Sequence, residues 1–436
     1  MLTREENELL CRVGPDAPMG GMLRRYWLPA IVSSELAADG APKRVSLLGE
    51  KLVAFRDSRG VVGLLDESCP HRGASLVLGR NEECGIRCLY HGWKIDTGGN
   101  VTETPPEPED SSFGARIRTT SYPVEERGGF VWAYMGPAGT MPPPLDFEWT
   151  AGPDTHRVII KVRAACNWLQ TLEGVIDSAH SNFLHADLLV GTAGVSTTHL
   201  KDDGAFARPS NDGRPKIEVE DTPYGFKYAA IRRPMVDADT KKYVRITHFI
   251  APIFAIFPAA AGLVNMQMFV PLDDENTMHY FVKLSLGDPI DDRQREIHMK
   301  RAGTRMGLEI DEDYNMLRNS ENLWLQDRAA MESGASITGI NGVTTQDVVM
   351  QESMGPIYDR TKEHLGASDA ALIRMRRLML DSVRRFTADG TPPLGLAEPI
   401  DYALIHARER LIPVDAPWQS IDDPDPSTGL IEAHRR

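Results

Sequence analysis

The stretch "CPHRGASLVLGRNEECGIRCLYHGW", from Cys69 to Trp93, sets a CxH pair and a CxxH pair sixteen residues apart. Each half offers one thiolate and one imidazole, and Gly73 and Gly92 follow closely, giving the backbone the freedom that a loop wrapped around a metal requires. Two readings compete on spacing alone. Zinc takes two Cys and two His in structural sites and tolerates similar ribbons, but such sites commonly use CxxC knuckles. One thiolate and one imidazole per half suits two inequivalent irons, one held by Cys69 and Cys88, the other by His71 and His91. The remaining cysteines, Cys11, Cys84 and Cys166, are expected to be small buried hydrophobes.

At 436 residues the chain exceeds a single ordinary core. Its 42% hydrophobic and 25% charged residues are those of a globular protein. Forty-eight basic against 62 acidic residues leave a formal charge of −14, which argues against nucleic acid or an anionic membrane surface as the partner. "MLTREENELLCRVG" lacks the apolar centre of a secretory signal, and no later apolar run approaches the roughly 18–20 residues of a membrane span. A cytoplasmic location is expected. Five cysteines, odd and sparse, are unlike a disulfide framework.

A short helical lead, "REENELLCRV", precedes a run of short strands: "RVSLLGEKLVAFR", "VVGLLD", "GIRCLYHGWKID" and "GFVWAYMG". Gly, Asp and Pro punctuate them, which predicts a small antiparallel all-β domain over residues 1–145, lead included. Beyond the Pro-rich "GPAGTMPPPLDFEW", residues 146–436 change character. "NWLQTLEGVIDSAHSNFLHA" reads as helix, four strand-like runs follow between 224 and 287, and helices return from 290, notably "ALIRMRRLMLDSVRRF". Strands then helices without alternation predict an α+β domain on an antiparallel sheet. The Pro- and Asp-rich tail after 411 is expected to wrap the surface or fray.

In the predicted helix, Glu173, Asp177 and His180 stand at i, i+4 and i+7, on one polar face of an otherwise apolar segment. They form a solvated face or a buried one satisfied by a metal. His185 falls off that face, so the helix must loosen or end if both histidines hold one ion.

"CPHRGASL" and "CLYHGWKIDTGG" resemble the Rieske-type 2Fe-2S loops of ring-hydroxylating oxygenases, without the extra disulfide pair of respiratory Rieske proteins: positions 74 and 90 are Ala and Tyr. The segment from Asn167 also resembles the same family's "NW.Q..EG..D..H....H" signature, through Trp168, Gln170, Glu173, Gly174, Asp177, His180 and His185. The resemblance implies a catalytic domain of helix-grip, TBP-like form and a mononuclear Fe(II) held by His180, His185 and a carboxylate, two His and one acid leaving positions open for O2 and substrate. It implies that Asp177, with Asn167 and Glu173 of the signature beside it, serves catalysis by bridging an iron-ligating histidine to His91 of a neighbouring subunit. The family's third ligand lies at the start of a late helix in a D....E pattern, matched by Asp347 and Glu352; Asp347 could instead cap that helix with Thr345, and Asp327 and Asp359 are the other candidates.

From "FARPSNDGRP" to "YVRITHFIAP" the chain resembles phthalate 4,5-dioxygenases, whose arginines at the places of Arg208 and Arg245 bind substrate carboxylates. On the strand 243–249, Tyr243, Arg245 and Thr247 share a face, and the guanidinium fork suits a carboxylate. An insertion at 322–343 is expected to line the pocket. No GxGxxG motif or plant-type cysteine set occurs, so the implied partner is a separate NADH-dependent reductase carrying flavin and iron-sulfur. The implied reaction is cis-dihydroxylation of an aromatic carboxylate with O2, or, as the alternative, monooxygenation or O-demethylation of a methoxylated, phenoxy- or halo-substituted acid. The Asp177 bridge implies a head-to-tail homotrimer, or two stacked as a hexamer.

Overall fold

A computed structural model describes residues 1–422 except 109, 202–204, 259 and 261. The amino-terminal part contains three small antiparallel sheets. Trp27–Val32, Phe130–Tyr134 and Val124–Arg127 form one; Lys43–Leu47, Glu50–Arg56 and Val62–Asp66 form another. The third is a meander of Arg80–Glu82, Gly85–Arg87, Lys94–Asp96 and Val101–Glu103. "GIRCLYHGWKID" is therefore two strands, with the second ligand pair in the loop between them. Val53, Phe55, Leu65, Leu76, Trp93 and Ile95 pack with Cys69 and Cys88 into a local core beneath the two ligand loops.

The carboxy-terminal part is an antiparallel sheet in the order Arg157–Ala164, Thr277–Ser285, Leu263–Pro271, Phe254–Ile256, Lys241–Ile250, Gly225–Arg232, Lys216–Thr222. Glu409–Pro413 joins it beside Lys241–Ile250, and Trp418 and Ile421 are buried, so this stretch of the tail is part of the fold rather than a fraying end; residues 423–436 lie outside the described residues. Strand alternation sorts the sheet's two faces. Tyr280, Val282, Leu284, Met266 and Met268 enter the main core, while Phe281 joins a smaller cluster with Val158 and Ile160 on the opposite face. The helix Ala370–Asp389 buries Met375, Met379 and Val383 in the main core.

One core runs through both parts. It takes in Leu10, Met22, Leu28, Val131 and Trp132 together with Phe254, Met268 and Tyr280. Phe130 meets Tyr280 edge-on at 5.2 Å between ring centroids. The turn between Lys43–Leu47 and Glu50–Arg56 belongs to this join. Leu48 and Gly49 both have positive φ, 51° and 79°, the twist a two-residue hairpin needs. A leucine is strained there, but Leu48 is fully buried and its N–H donates to the Pro271 carbonyl at 3.0 Å, while Gly49 N–H donates to Leu272 at 2.8 Å. The lead helix Arg4–Cys11 likewise turns toward later residues: Asn7 Nδ2 donates to Tyr358 O, and Cys11 O accepts from Asn167 Nδ2. No helix among the described residues is long and apolar enough to cross a membrane.

Candidate active site

The two ligand loops are the same turn used twice. Gly73 N–H donates to Cys69 O and Cys69 N–H to Ala74 O; Gly92 N–H donates to Cys88 O and Cys88 N–H to Trp93 O. Gly73 and Gly92 both hold φ above 70°, where a side chain is disfavoured. The loops bring His71 and His91 within 4.4 Å between ring centroids, and His71 stacks on Trp93 at 4.5 Å. His71 Nδ1 is buried with no hydrogen-bond partner among the described residues. Cys69 and Cys88 are free and buried; burial pushes the Cys69 thiol above its ordinary range, and nearby Cys88 adds to this. Two clustered thiols and an imidazole nitrogen lacking any donor or acceptor fit a 2Fe-2S group. Cys11 and Cys166 are buried as expected, whereas Cys84 is only part-buried, in a left-handed turn between two short strands.

The segment expected to be one helix is two. Trp168–Ile176 is capped by Asn167, whose side chain accepts from Leu169 N–H, and ends at Asp177 in extended conformation. A single helical turn, Ser181–Leu184, follows, with His180 and His185 at its two ends. The break lets both imidazoles face Asp347 from the helix Val343–Ser353: Asp347 Oδ1 is 3.4 Å from His180 Nε2 and 3.1 Å from His185 Nε2. One ligand atom from each of the three lies within 4.8 Å of the others. Asp347 sits in the second turn of its helix and is not a cap.

The Nδ1 atoms are held from behind. His180 Nδ1 lies 3.4 Å from Asp177 Oδ2, and His185 Nδ1 2.7 Å from Gln346 Oε1. Such contacts fix the ring orientation and leave Nε2 to bind a metal. Burial opposes charge on His180, yet Asp177 and Asp347 outweigh it and raise its pKa to about 10. Burial alone would raise the Asp347 carboxyl; His185 and His180 hold it well below the ordinary range. Two acids closing on two imidazoles in a buried corner are the electrostatics of a cation site.

Asn167 and Glu173 are placed elsewhere. Asn167 Nδ2 donates to Cys11 O and Asp274 O, tying the lead helix down. Glu173 is 8% exposed and bonded to Arg360 and Arg376, of which the second also holds Glu363. With the helix ending at Ile176, Glu173 does not share a face with His180, and neither signature residue reaches the triad. Asp327 caps the helix Arg328–Glu332, and Asp359 pairs with Thr361 and Lys362. Glu352 accepts from Ala165 N–H and Trp324 Nε1.

The triad opens on a cavity of about 170 Å³ walled by Val175, Leu189, Phe206, Phe257 and Phe281, with Arg245 and Thr247 on the strand face expected for them. Arg245 is already engaged: Nη2 donates to Pro258 O at 2.7 Å and Nε lies 3.5 Å from Glu409 Oε2. Arg208 lies behind this wall, not in it. It is fully buried, its Nε donates to Ser210 O, and burial with Arg232 and Arg245 pushes its pKa down to about 9. Of the insertion, only Val343 reaches the cavity. The chain also lines the cavity with His279, Lys283 and Arg301 and sets Gln346 behind His185 and Arg232 near Arg208, none of them singled out from sequence. His279 and Lys283 belong to a strand alternation that was legible; Gln346 directly precedes Asp347. His279 lines the cavity between Phe269 and Phe281, its Nε2 on Gln267 Oε1 at 2.9 Å, and burial lowers its pKa to about 3.

Residues 26–123 match the family described as Rieske [2Fe-2S] domain, and residues 133–432 the family described as LigXa C-terminal domain like. This chain belongs to the Rieske oxygenase family. It is 45% identical to the phthalate 4,5-dioxygenase oxygenase subunit of Pseudomonas putida, over 96% of this chain and 94% of that one. It is 37% identical to the 3-chlorobenzoate-3,4-dioxygenase oxygenase subunit of Comamonas testosteroni, over 96% of this chain and 98% of that one. The solved structure of dicamba monooxygenase bound to dicamba shares the fold, with a TM-score of 0.57 at 17% identity, over 84% of this chain and 98% of that one. The family decides between the two readings of the cysteine and histidine pairs in favour of iron-sulfur. This Rieske oxygenase is an oxidoreductase of the ring-hydroxylating type, with a 2Fe-2S cluster and a mononuclear iron, and it is the oxygenase component of a multicomponent system in which a separate component supplies electrons.

Proposed function

We propose that this Rieske oxygenase hydroxylates an aromatic carboxylate of the phthalate type, with His180, His185 and Asp347 holding the iron and Cys69, His71, Cys88 and His91 the cluster. When bound, the cluster supplies single electrons and the ferrous ion activates O2. The observation that carries the substrate class is the cavity itself, where the two-histidine, one-carboxylate triad shares apolar walls with the guanidinium of Arg245. Phe206, Phe257 and Phe281 exclude water and pack a ring; Arg245, with Arg208 and Arg232 adding positive potential from behind, orients an anionic substituent. Glu409 keeps Arg245 in place, itself fixed by Thr198 N–H and the Tyr243 hydroxyl.

Asp177 is the positioning residue between the two metal sites. One oxygen faces His180 Nδ1, the other accepts from Ala179 N–H at 2.7 Å, and the side chain stays 27% exposed. That exposure leaves it able to accept from His91 of the partner subunit. Leu89 and Tyr90, beside His91, are 62% and 57% exposed, and an assembly would cover them. A head-to-tail homotrimer, or two stacked as a hexamer, supplies that neighbour. The electron donor is an NADH-dependent reductase, and the system is cytoplasmic.

O-demethylation or other monooxygenation is the second reading. It is favoured by 32% identity to the 5,5'-dehydrodivanillate O-demethylase oxygenase subunit of Sphingobium sp. (strain NBRC 103272 / SYK-6), over 92% of this chain and 84% of that one. Product identification with phthalate isomers, halobenzoates and methoxybenzoates, supplied with a reductase and NADH, separates the two. A cis-dihydrodiol from phthalate supports the first; formaldehyde from a methoxybenzoate with phthalate untouched replaces it with the second.

A further inference from the structure

We infer that Lys283 and Arg301 form a second anion-binding subsite of this cavity, which takes one carboxylate of an aromatic substrate carrying two; the inference rests on the aromatic-acid reading above. Lys283 follows His279 and Phe281 on the cavity face of the strand Thr277–Ser285, and Arg301 comes from the last turn of the helix Asp292–Ala302. Arg301 is 7% exposed, and its Nη1 and Nη2 are both buried with no hydrogen-bond partner among the described residues. Its guanidinium carbon lies 3.1 Å from the centroid of the Phe206 ring, which holds the fork in one plane. Among the described residues, the one side-chain hydrogen-bond contact of Lys283 Nζ is His298 Nδ1, at 3.2 Å.

Buried cations are normally matched by an acid, because an unpaired charge out of water is costly. Among the described residues, no carboxylate offsets either of these. Burial lowers Lys283 to about 7, with Arg301 adding to the effect, and burial lowers Arg301 to about 9. Burial, Lys283 and Arg301 together hold His298 down at about 3, so it stays neutral and brings no charge of its own. Arg245 differs, having Glu409 and the Pro258 carbonyl as partners. Phe254–Ile256 and Leu263–Pro271 lie between the strands that carry Arg245 and Lys283, so the cavity has two separate cationic ends. A ring with two carboxylates places one at each. The first orients the substrate against the triad, and the second selects diacids over monoacids.

The test compares dissociation constants of the iron-loaded protein for phthalate, isophthalate and terephthalate with those for their monomethyl esters. The wild type is expected to prefer at least one diacid over its ester tenfold or more. Lys283→Met should bring that ratio to within twofold, while iron content and the reduced cluster signal stay normal; Lys283→Arg should restore it, and Arg301→Lys should lower it partway. A Lys283→Met protein with both metals bound and the wild-type ratio intact overturns the subsite. If that protein still turns over an aromatic acid, only the subsite falls. A wild type that binds none of these acids or esters overturns the subsite and the aromatic-acid reading together.

Discussion

His185 and Gln346 meet at 2.7 Å between Nδ1 and Oε1, and the direction of that bond is set by what lies behind it. Gln346 Nε2 donates to Thr338 Oγ1 and Ile340 O, so its Oε1 must be the acceptor and His185 Nδ1 the donor. The imidazole is thereby held as the tautomer with a free Nε2. Gln346→Leu should fold but lower affinity for the mononuclear iron by roughly 10–100-fold. Iron titration of apoprotein, read beside an unchanged cluster spectrum, checks this.

Asp347→Asn removes the one carboxylate among the described residues that reaches both Nε2 atoms. Iron analysis should fall from about three atoms per chain to about two, with the reduced cluster signal intact. Full iron occupancy would assign the third ligand elsewhere.

Asp177→Asn keeps the size of the side chain but not its charge. Both metal sites should load normally and substrate should still bind, while turnover nearly disappears; reduction of the cluster by the donor protein should proceed at the wild-type rate. Normal turnover would remove Asp177 from its positioning role.

Glu173→Gln leaves Arg360 and Arg376 short of their shared anion, and Arg360 is wholly buried. Breaking a buried pair in this way costs about 3–5 kcal/mol. Burial opposes ionisation of Glu173, but the two arginines hold its pKa below the ordinary range. The stabilisation is therefore complete above the unfolded carboxyl value of about 4.3 and fades as pH falls through the lower folded value. Denaturant titrations should show a wide gap between wild type and variant at pH 7 that narrows in acid.

Cys69, His71, Cys88 and His91 could be read from the sequence because local turns bring each pair together, and only two loops had to meet. The catalytic sheet was legible for a similar reason, since runs such as "HYFVKLSLG" carry their own alternation. That the helix must loosen for both histidines to hold one ion was legible, but the place of the break, after Ile176, was hidden: the segment's apolar content continues past Asp177, and the helix stops where His180 and His185 turn to Asp347, a contact made 162 residues further on between His185 and Asp347. Glu173 looked like part of the metal face because its partners, Arg360 and Arg376, are 187 and 203 residues away. Arg301 escaped notice because a helix-end arginine reads as solvated, and only the packing of Phe206 against it shows otherwise.

Leu48 and Gly49, clasped by the carbonyls of Pro271 and Leu272, make the two metal-bearing regions a single body. With that clasp and one shared core between them, the two regions are expected to keep their separation through turnover. Chimaeras that graft a foreign cluster-bearing region onto this cavity would need to carry that clasp with them, or inherit two halves that no longer know their separation.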